Sequence, residues 1–248
     1  MKKVLYFDCS SGISGDMVLG ALIHLGIDPR RLEEELRRLD LPPFRLIAAA
    51  VRKHGVTGVD LTVQVEAADA HHRSYPEVRG LIDRGGLKGP VKEIARRIYS
   101  VIAEAEGAVH GATAEEVVFH EVGSADSIID IVGSAICIDI LGVDDILCSP
   151  VHDGRGFIRA AHGIIPVPVP AVKELLKGSG IRLVTEAVDT EMVTPTGLGI
   201  LKGLGAVCVP MPDITVTAEG YGFGKRNTGL LAALRLILGG RPGDSPAA

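Results

Sequence analysis

The chain has 248 residues, 46% of them hydrophobic, and a formal net charge of −5. That balance supplies a substantial apolar core and excludes global disorder. Aromatic residues make up only 4%, tryptophan is absent and no long basic run occurs, so neither a nucleic-acid binder nor an anionic-membrane binder is expected. Cys9, Cys137, Cys148 and Cys208 are scattered without a Cys-x-x-Cys, and Met1-Lys2-Lys3 runs straight into a short strand, which points to a reducing cytoplasm. Asp130, Asp139 and Arg235 interrupt every window of roughly 18 residues apolar enough to span a membrane.

Lys3 to Phe7 reads as a strand, Asp8 to Gly15 as a polar loop, and Asp16 to Leu25 as a helix stopped by Gly26. A charged helix follows near Pro29 to Leu39, then two alternating segments, Arg45 to Lys53 and Asp60 to Glu66, joined through Gly55 and Gly58 as a hairpin. Ala67 to Ser74 is a loop holding His71 and His72, and helical periodicity returns at Tyr75 to Asp83 and Pro90 to Val109. The segment around residues 125–141 is apolar on nearly all sides, which predicts a buried central helix. Asp145 to Ser149 and Gly156 to Ala161 read as strands, His162 to Pro170 as an extended polyproline loop, and Ala171 to Leu176 as a helix. Strand Ile181 to Thr185 precedes a loop from Thr190 to Gly197 that enters a short helix ending at Gly205. Ile214 to Tyr221 and Leu230 to Leu238 alternate as strands around a Gly-rich turn. The pattern predicts an α/β fold, a mixed sheet with helices packed on it. No repeat or linker divides residues 1–240 into more than one domain, and 241–248 read as a flexible tail.

The most informative segment runs from Phe119 to Asp130. It sets His120-Glu121 ahead of a greasy helix carrying Asp126 and Asp130 four residues apart, hence on one face. The same stripe collects Gly133, Ser134 and Cys137. Burying an unpaired carboxylate is costly, so this stripe is expected to wall a site. Glu121 has the competing reading of an ordinary helix cap.

In Asp8-Cys9-Ser10-Ser11-Gly12-Ile13-Ser14-Gly15-Asp16, a strand ends in an acid, glycines bend the loop, and hydroxyls precede a helix start. Such geometry suits a phosphate or carboxylate, although Ser14 as N-cap and Asp16 on the helix dipole would explain part of it. His71 and His72 have imidazoles suited to nickel or zinc unless they are merely solvated. His162 is a general acid or anion contact on weaker grounds. Gly220 to Arg226 has the wrong spacing for a phosphate loop and reads as a strand-edge turn carrying two cations, and Glu191 reads equally well as a surface acid. No nucleophile elbow is present.

Five blocks, taken in order, resemble the signatures of one family: Leu5 to Met17, His71-His72-Arg73-Ser74, Phe119 to Gly123 with Asp126 to Asp130, Ala161-His162-Gly163 through Pro170, and Glu191 to Gly197. That family is the pyridinium-3,5-bisthiocarboxylic acid mononucleotide nickel insertion proteins, the cyclometallases of lactate racemase cofactor maturation. The resemblance implies a lyase that inserts nickel into a pyridinium mononucleotide, forming nickel–carbon and nickel–sulfur bonds, with CTP and magnesium or manganese. It implies a substrate-phosphate grip from Asp8, Ser10, Ser11, Gly12, Ser14, Gly15 and Asp16, joined by Thr194 and Thr196. Nickel would be held or relayed by His71, His72, His120 and Glu121, and the base would be Glu121, Asp126, Asp130 or His162. Family members typically carry a further C-terminal region, so the chain resembles their N-terminal portion. The expected partners are a separate C-terminal subunit and further copies in a homo-oligomer. Two alternatives stand beside this reading: a non-catalytic nickel carrier, and a divalent-metal phosphohydrolase built on Asp8, Asp126 and Asp130.

Overall fold

A computed structural model describes residues 2–66, 72–160, 163–229 and 231–241. The elements in chain order are β1 (Lys2–Asp8), α1 (Gly15–His24), α2 (Pro29–Leu36), β2 (Phe44–Lys53), β3 (Val56–Val65), α3 (Tyr75–Arg84), α4 (Gly89–His110) and α5 (Ala125–Leu141). They continue with β4 (Asp145–Cys148), β5 (Val151–Asp153), β6 (Phe157–Ala160), β7 (Gly163–Pro166), α6 (Pro170–Leu176), β8 (Leu183–Thr185), α7 (Pro195–Gly203), β9 (Val207–Cys208), β10 (Thr215–Phe223) and β11 (Ala233–Arg241). One seven-stranded sheet has the order β2-β3-β10-β11-β1-β4-β9. It is mixed: β1 pairs antiparallel with β11 and parallel with β4. The fold is therefore the α/β class that the interleaved pattern predicts.

Strand β1 is covered on both faces. Leu5 and Phe7 point into the main core with the helices, while Val4 and Tyr6 pack with Leu147 and Ile237 on the opposite side. Helix α1 lies against β10 and β3, and α5 packs on α1 while also meeting α2, α4, α7 and β3. Neighbours on so many sides explain why α5 is apolar around most of its circumference, with Ile128, Ile129, Ile131 and Val132 fully buried. Among the described residues no helix is long and apolar enough to cross a membrane.

Several expected boundaries are corrected. The β2–β3 turn is His54-Gly55, both at positive φ (49° and 84°), and Gly58 lies inside β3 instead of in the turn. Residues 163–166, expected as polyproline, form β7, which pairs antiparallel with β6. Pro166 sits at the end of that two-stranded ribbon, opposite Phe157, where a missing N–H is tolerated. Strand β11 begins at Ala233, after Ala232 at φ 39°, and includes Arg241, which the sequence alone places in the tail. Strands β5 and β9 are too short to show an alternation.

The close approach of α1 to the sheet depends on missing side chains in β10. A Cβ at Gly222 would collide with the Met17 carbonyl oxygen, and one at Gly220 with that of Ala21. Gly222→Ala is therefore expected to destabilise the fold by about 1–3 kcal/mol, read as a lowered denaturation midpoint; an unchanged midpoint would show that α1 can lift off β10 freely.

Candidate functional site

Helices α1, α5 and α7 all begin at one cleft of about 580 Å³. Its walls include Ser14, Gly15 and Asp16 from α1, Ser124, Asp126 and Asp130 from α5, and Thr194, Pro195 and Thr196 from α7. Three helix starts border one place, where helix N-terminal N–H groups favour an anion, while Asp16, Glu121, Asp126, Asp130 and Glu191 line the same cleft with Lys225 and Arg226.

The loop entering α1 is tied directly to the loop entering α7. Ile13 N–H donates to the Met192 carbonyl at 2.9 Å, and Thr194 N–H donates to the Ile13 carbonyl at 3.0 Å. Gly12, at φ +87°, lies so close to the Met192 carbonyl oxygen that a side chain would collide with it. Thr194 caps α7, its Oγ1 accepting from Gly197 N–H at 3.1 Å. Ser14 holds the N-cap position of α1 but makes no capping bond. Its hydroxyl donates instead to Asp16 Oδ1, which also accepts Met17 N–H at 2.9 Å. The simple capping account of Ser14 is thus not what the side chain does.

Asp130 sits one turn inside α5. Its Oδ1 is sealed from solvent and has no hydrogen-bond partner. A Cβ on Gly15 would meet Asp130 Oδ2 at 2.5 Å, so only glycine lets α1 start this close to that carboxylate. Burial pushes Asp130 well above the usual carboxylate range, and the nearby Asp16 and Asp126 carboxylates push it the same way. Asp16 is also raised, chiefly by burial. Asp126 is exposed at the mouth of the cleft. Beyond Asp130 the expected wall ends: Gly133, Ser134 and Cys137 are buried in helix packing, Ser134 Oγ donating to the Asp130 carbonyl at 2.7 Å.

His120 and Glu121 stand on a strapped loop before α5. Phe119 N–H donates to the Arg73 carbonyl at 2.9 Å, the Arg73 guanidinium to the Gly123 carbonyl at 2.7 Å, and the Tyr99 hydroxyl to the Val122 carbonyl at 3.2 Å. Glu121 contributes to the start of α5 through its carbonyl, which accepts from Ser124 Oγ at 2.6 Å. His72 is brought beside His120, with ring centres 5.4 Å apart. His120 and Glu121 line both the large cleft and a second cavity of about 260 Å³, whose apolar wall includes Ile158 and Ile165 of the β6–β7 ribbon.

Other expected residues lie elsewhere. Asp8 is at the end of β1, 4.0 Å from Arg235 and accepting Ser10 N–H at 3.3 Å, and neither it nor exposed Ser10 lines the cleft. Ser11 lines a side pocket of about 160 Å³ with Asp16 and Thr194. His71 and His162 lie outside the described residues. Among the described residues, no three His, Cys, Asp or Glu side chains already converge as a metal-holding group.

Three residues of the site escape sequence reasoning. Glu191, read as a possible surface acid, is 4% exposed and pairs with Arg226 at 2.5 Å. Both line all three cavities, so this ion pair stands where they meet. Lys225 lines the cleft as well, held by Asp60 and by Thr62 Oγ1 at 3.0 Å. The usable signals were the apolar Met192-Val193 beside Glu191 and the two cations in one Gly-rich turn. Behind Glu191, buried Asp153 fixes the loop, its Oδ1 accepting the N–H groups of Gly154, Met192 and Val193 at 2.9, 2.7 and 3.1 Å. Burial raises Glu191 to about 7, with Arg226 opposing and Asp153 and Glu121 adding to the rise.

The fold and cleft define a mixed α/β protein whose helix starts, cations and buried acids face one chamber. The chain belongs to the nickel insertion protein family, which matches residues 5–247. It is 48% identical over 245 residues to the pyridinium-3,5-bisthiocarboxylic acid mononucleotide nickel insertion protein of Acetivibrio thermocellus, covering 96% of this chain and 60% of that relative. Proteins of the same name from Staphylococcus epidermidis (strain ATCC 12228 / FDA PCI 1200) and Desulfitobacterium hafniense are 41% and 40% identical, each covering 96% of this chain and 59% and 58% of theirs. The chain thus spans about three-fifths of the length of these relatives. No solved structure matches it.

The raised Glu191 gives a stability signature. Folded protein holds this proton more tightly than the unfolded chain, so its contribution is full below the ordinary value of 4.5 and is lost as pH rises to about 7. The loss should be roughly 3–3.5 kcal/mol at most. Thermal melting of the metal-free chain is expected to fall across that window, and Glu191→Gln to flatten the slope; an equal slope in the variant would contradict the assignment.

Proposed function

We propose that this chain supplies the substrate-binding and proton-removing part of a lyase that inserts nickel into a pyridinium bisthiocarboxylate mononucleotide. Residues 1–240 would act as the N-terminal-type domain of such an enzyme, in the cytoplasm, as a homo-oligomer completed by a separate C-terminal subunit. Family membership supports the nickel chemistry, and the names of the relatives supply the organic substrate. The single observation that carries the local reading is Asp130, a half-buried residue whose sealed carboxylate oxygen has no partner on the wall of a cleft where three helices begin.

In this reading the substrate phosphate docks on the starts of α1 and α7, against Ser14, Thr194 and Thr196, with Lys225 and Arg226 balancing further negative charge. Asp16, Asp126 and Asp130 surround the pyridinium ring, where their negative charge suits its positive one. The carbon–hydrogen bond of the ring breaks, its electron pair becomes the nickel–carbon bond, and the proton passes to a carboxylate. Asp130 ranks first among Glu121, Asp126, Asp130 and His162 for that role, because one of its oxygens is enclosed without a partner on the cleft wall and burial raises its proton affinity. Arrival of the nickel cation favours the ionised carboxylate and so prepares it to accept the proton. Nickel is the cargo of the reaction and would approach from His72, His120 and Glu121.

CTP with magnesium or manganese finds no comparable fit. Among the described residues that line the cleft the only aromatic ring is the His120 imidazole, which this reading gives to nickel, and no ready metal-holding group is present among the described residues. No step of this mechanism is therefore assigned to the nucleotide in this chain.

Asp130→Asn, nearly isosteric, is expected to lower nickel–carbon bond formation by about 10²–10⁴-fold while substrate still binds. The check is the absorption change of the pyridinium mononucleotide on incubation with nickel, CTP and the C-terminal partner. Undiminished turnover would remove Asp130 as the base, and nickel binding with no substrate change in the unaltered protein would reduce the chain to a nickel carrier.

A further inference from the structure

His110 belongs to none of the blocks discussed above, yet the fold carries it to the rim that His72 and His120 share. Helix α4 ends there because Gly111 adopts the left-handed conformation at φ 69°. The His110 ring centre lies 5.9 Å from that of His120, which is itself 5.4 Å from that of His72. Three imidazoles from three separate segments thus meet on one rim. Two of those segments are fastened to each other by the Phe119 to Arg73 hydrogen bond and the Ser74–Val118 bridge. One helical turn before His110, Glu106 places Oε2 3.5 Å from His110 Nε2, where it can orient the ring.

We propose that His72, His110 and His120 form a nickel-loading site, with Glu106 positioning His110, from which the metal is handed to the acid-lined cleft. The proposal rests on the nickel-insertion reading and adds to it a ligand set and a route. Imidazole nitrogens bind a divalent metal at about 2.0–2.1 Å, which puts the centres of two neighbouring ligand rings roughly 4.5–5.2 Å apart, a small inward movement from the 5.4 and 5.9 Å seen here. The nitrogens do not yet point at one centre. All three residues are exposed, so a metal can reach their rings from solvent, and its binding would replace contacts that His110 and His120 now make. Neutral imidazoles select nickel or zinc over magnesium, whereas the carboxylate oxygens of the neighbouring cleft do not share that preference. His120 suits the handover because it lines both the smaller cavity and the large cleft.

The test is titration of the full chain with nickel(II) alone, followed by calorimetry and by X-ray absorption to count bound imidazoles. Three imidazoles are expected, with His110→Gln weakening affinity about ten- to a hundredfold and lowering the count to two. His54→Gln, on the distant β2–β3 turn, serves as the control and should change neither. In turnover, His110→Gln should raise the nickel concentration needed for half-maximal rate, and His54→Gln should not. Unaltered affinity and imidazole count in His110→Gln would overturn the loading site. The reading of the cleft would survive that result, because it is judged by substrate conversion in Asp130→Asn with nickel in excess.

Discussion

One carboxylate oxygen, Oδ1 of Asp130, is shut away from water with no donor facing it, and the surrounding architecture makes sense as what tolerates it. An isolated buried charge is costly, so burial raises the proton affinity of this group, and a cation or donor arriving beside it would lower it. Gly15 permits α1 to begin against it, Asp16 and Asp126 add like charge, and Lys225 partly offsets them. The two acids four residues apart on α5 therefore differ in kind: Asp126 is exposed at the mouth, while Asp130 is the enclosed group deeper in the wall.

A second constraint keeps the cleft in register. The loops before α1 and α7 exchange backbone hydrogen bonds at Ile13, and Asp153 gathers the N–H groups of Met192 and Val193 from behind. Glu191 is thereby carried inward to meet Arg226 at the junction of three cavities. The imidazole rim and the acid cleft share the His120-Glu121 corner. Borderline and hard donors thus stand on adjoining surfaces, which in the proposed function would let nickel pass from imidazole to carboxylate.

Much of this was legible in the chain because local signals were strong. The strand–loop–helix unit at β1 and α1, the all-round apolar α5, and the proline-led starts of α3, α4 and α7 follow from periodicity and capping alone. What was hidden depended on distant partners. Nothing near Glu191 announces that Arg226, 35 positions onward, will bury with it, and a Gly-rich turn looks the same whether it faces solvent or a cleft. The β6–β7 ribbon was masked by prolines that suit an extended loop and a short ribbon end equally well. His110 was hidden by its ordinary place in the last turn of a helix. The stripe along α5 was over-read, because helical spacing places Gly133, Ser134 and Cys137 on the face of Asp130 without saying that neighbouring helices cover them.

The most direct measurement is the titration of the Asp130 side-chain carboxyl by carbon-detected NMR on the metal-free chain, assigned through Asp130→Asn. The account predicts a midpoint well above the ordinary aspartate range that falls when nickel is added. A midpoint within the ordinary range, unmoved by nickel, would show a solvated surface acid and contradict the account.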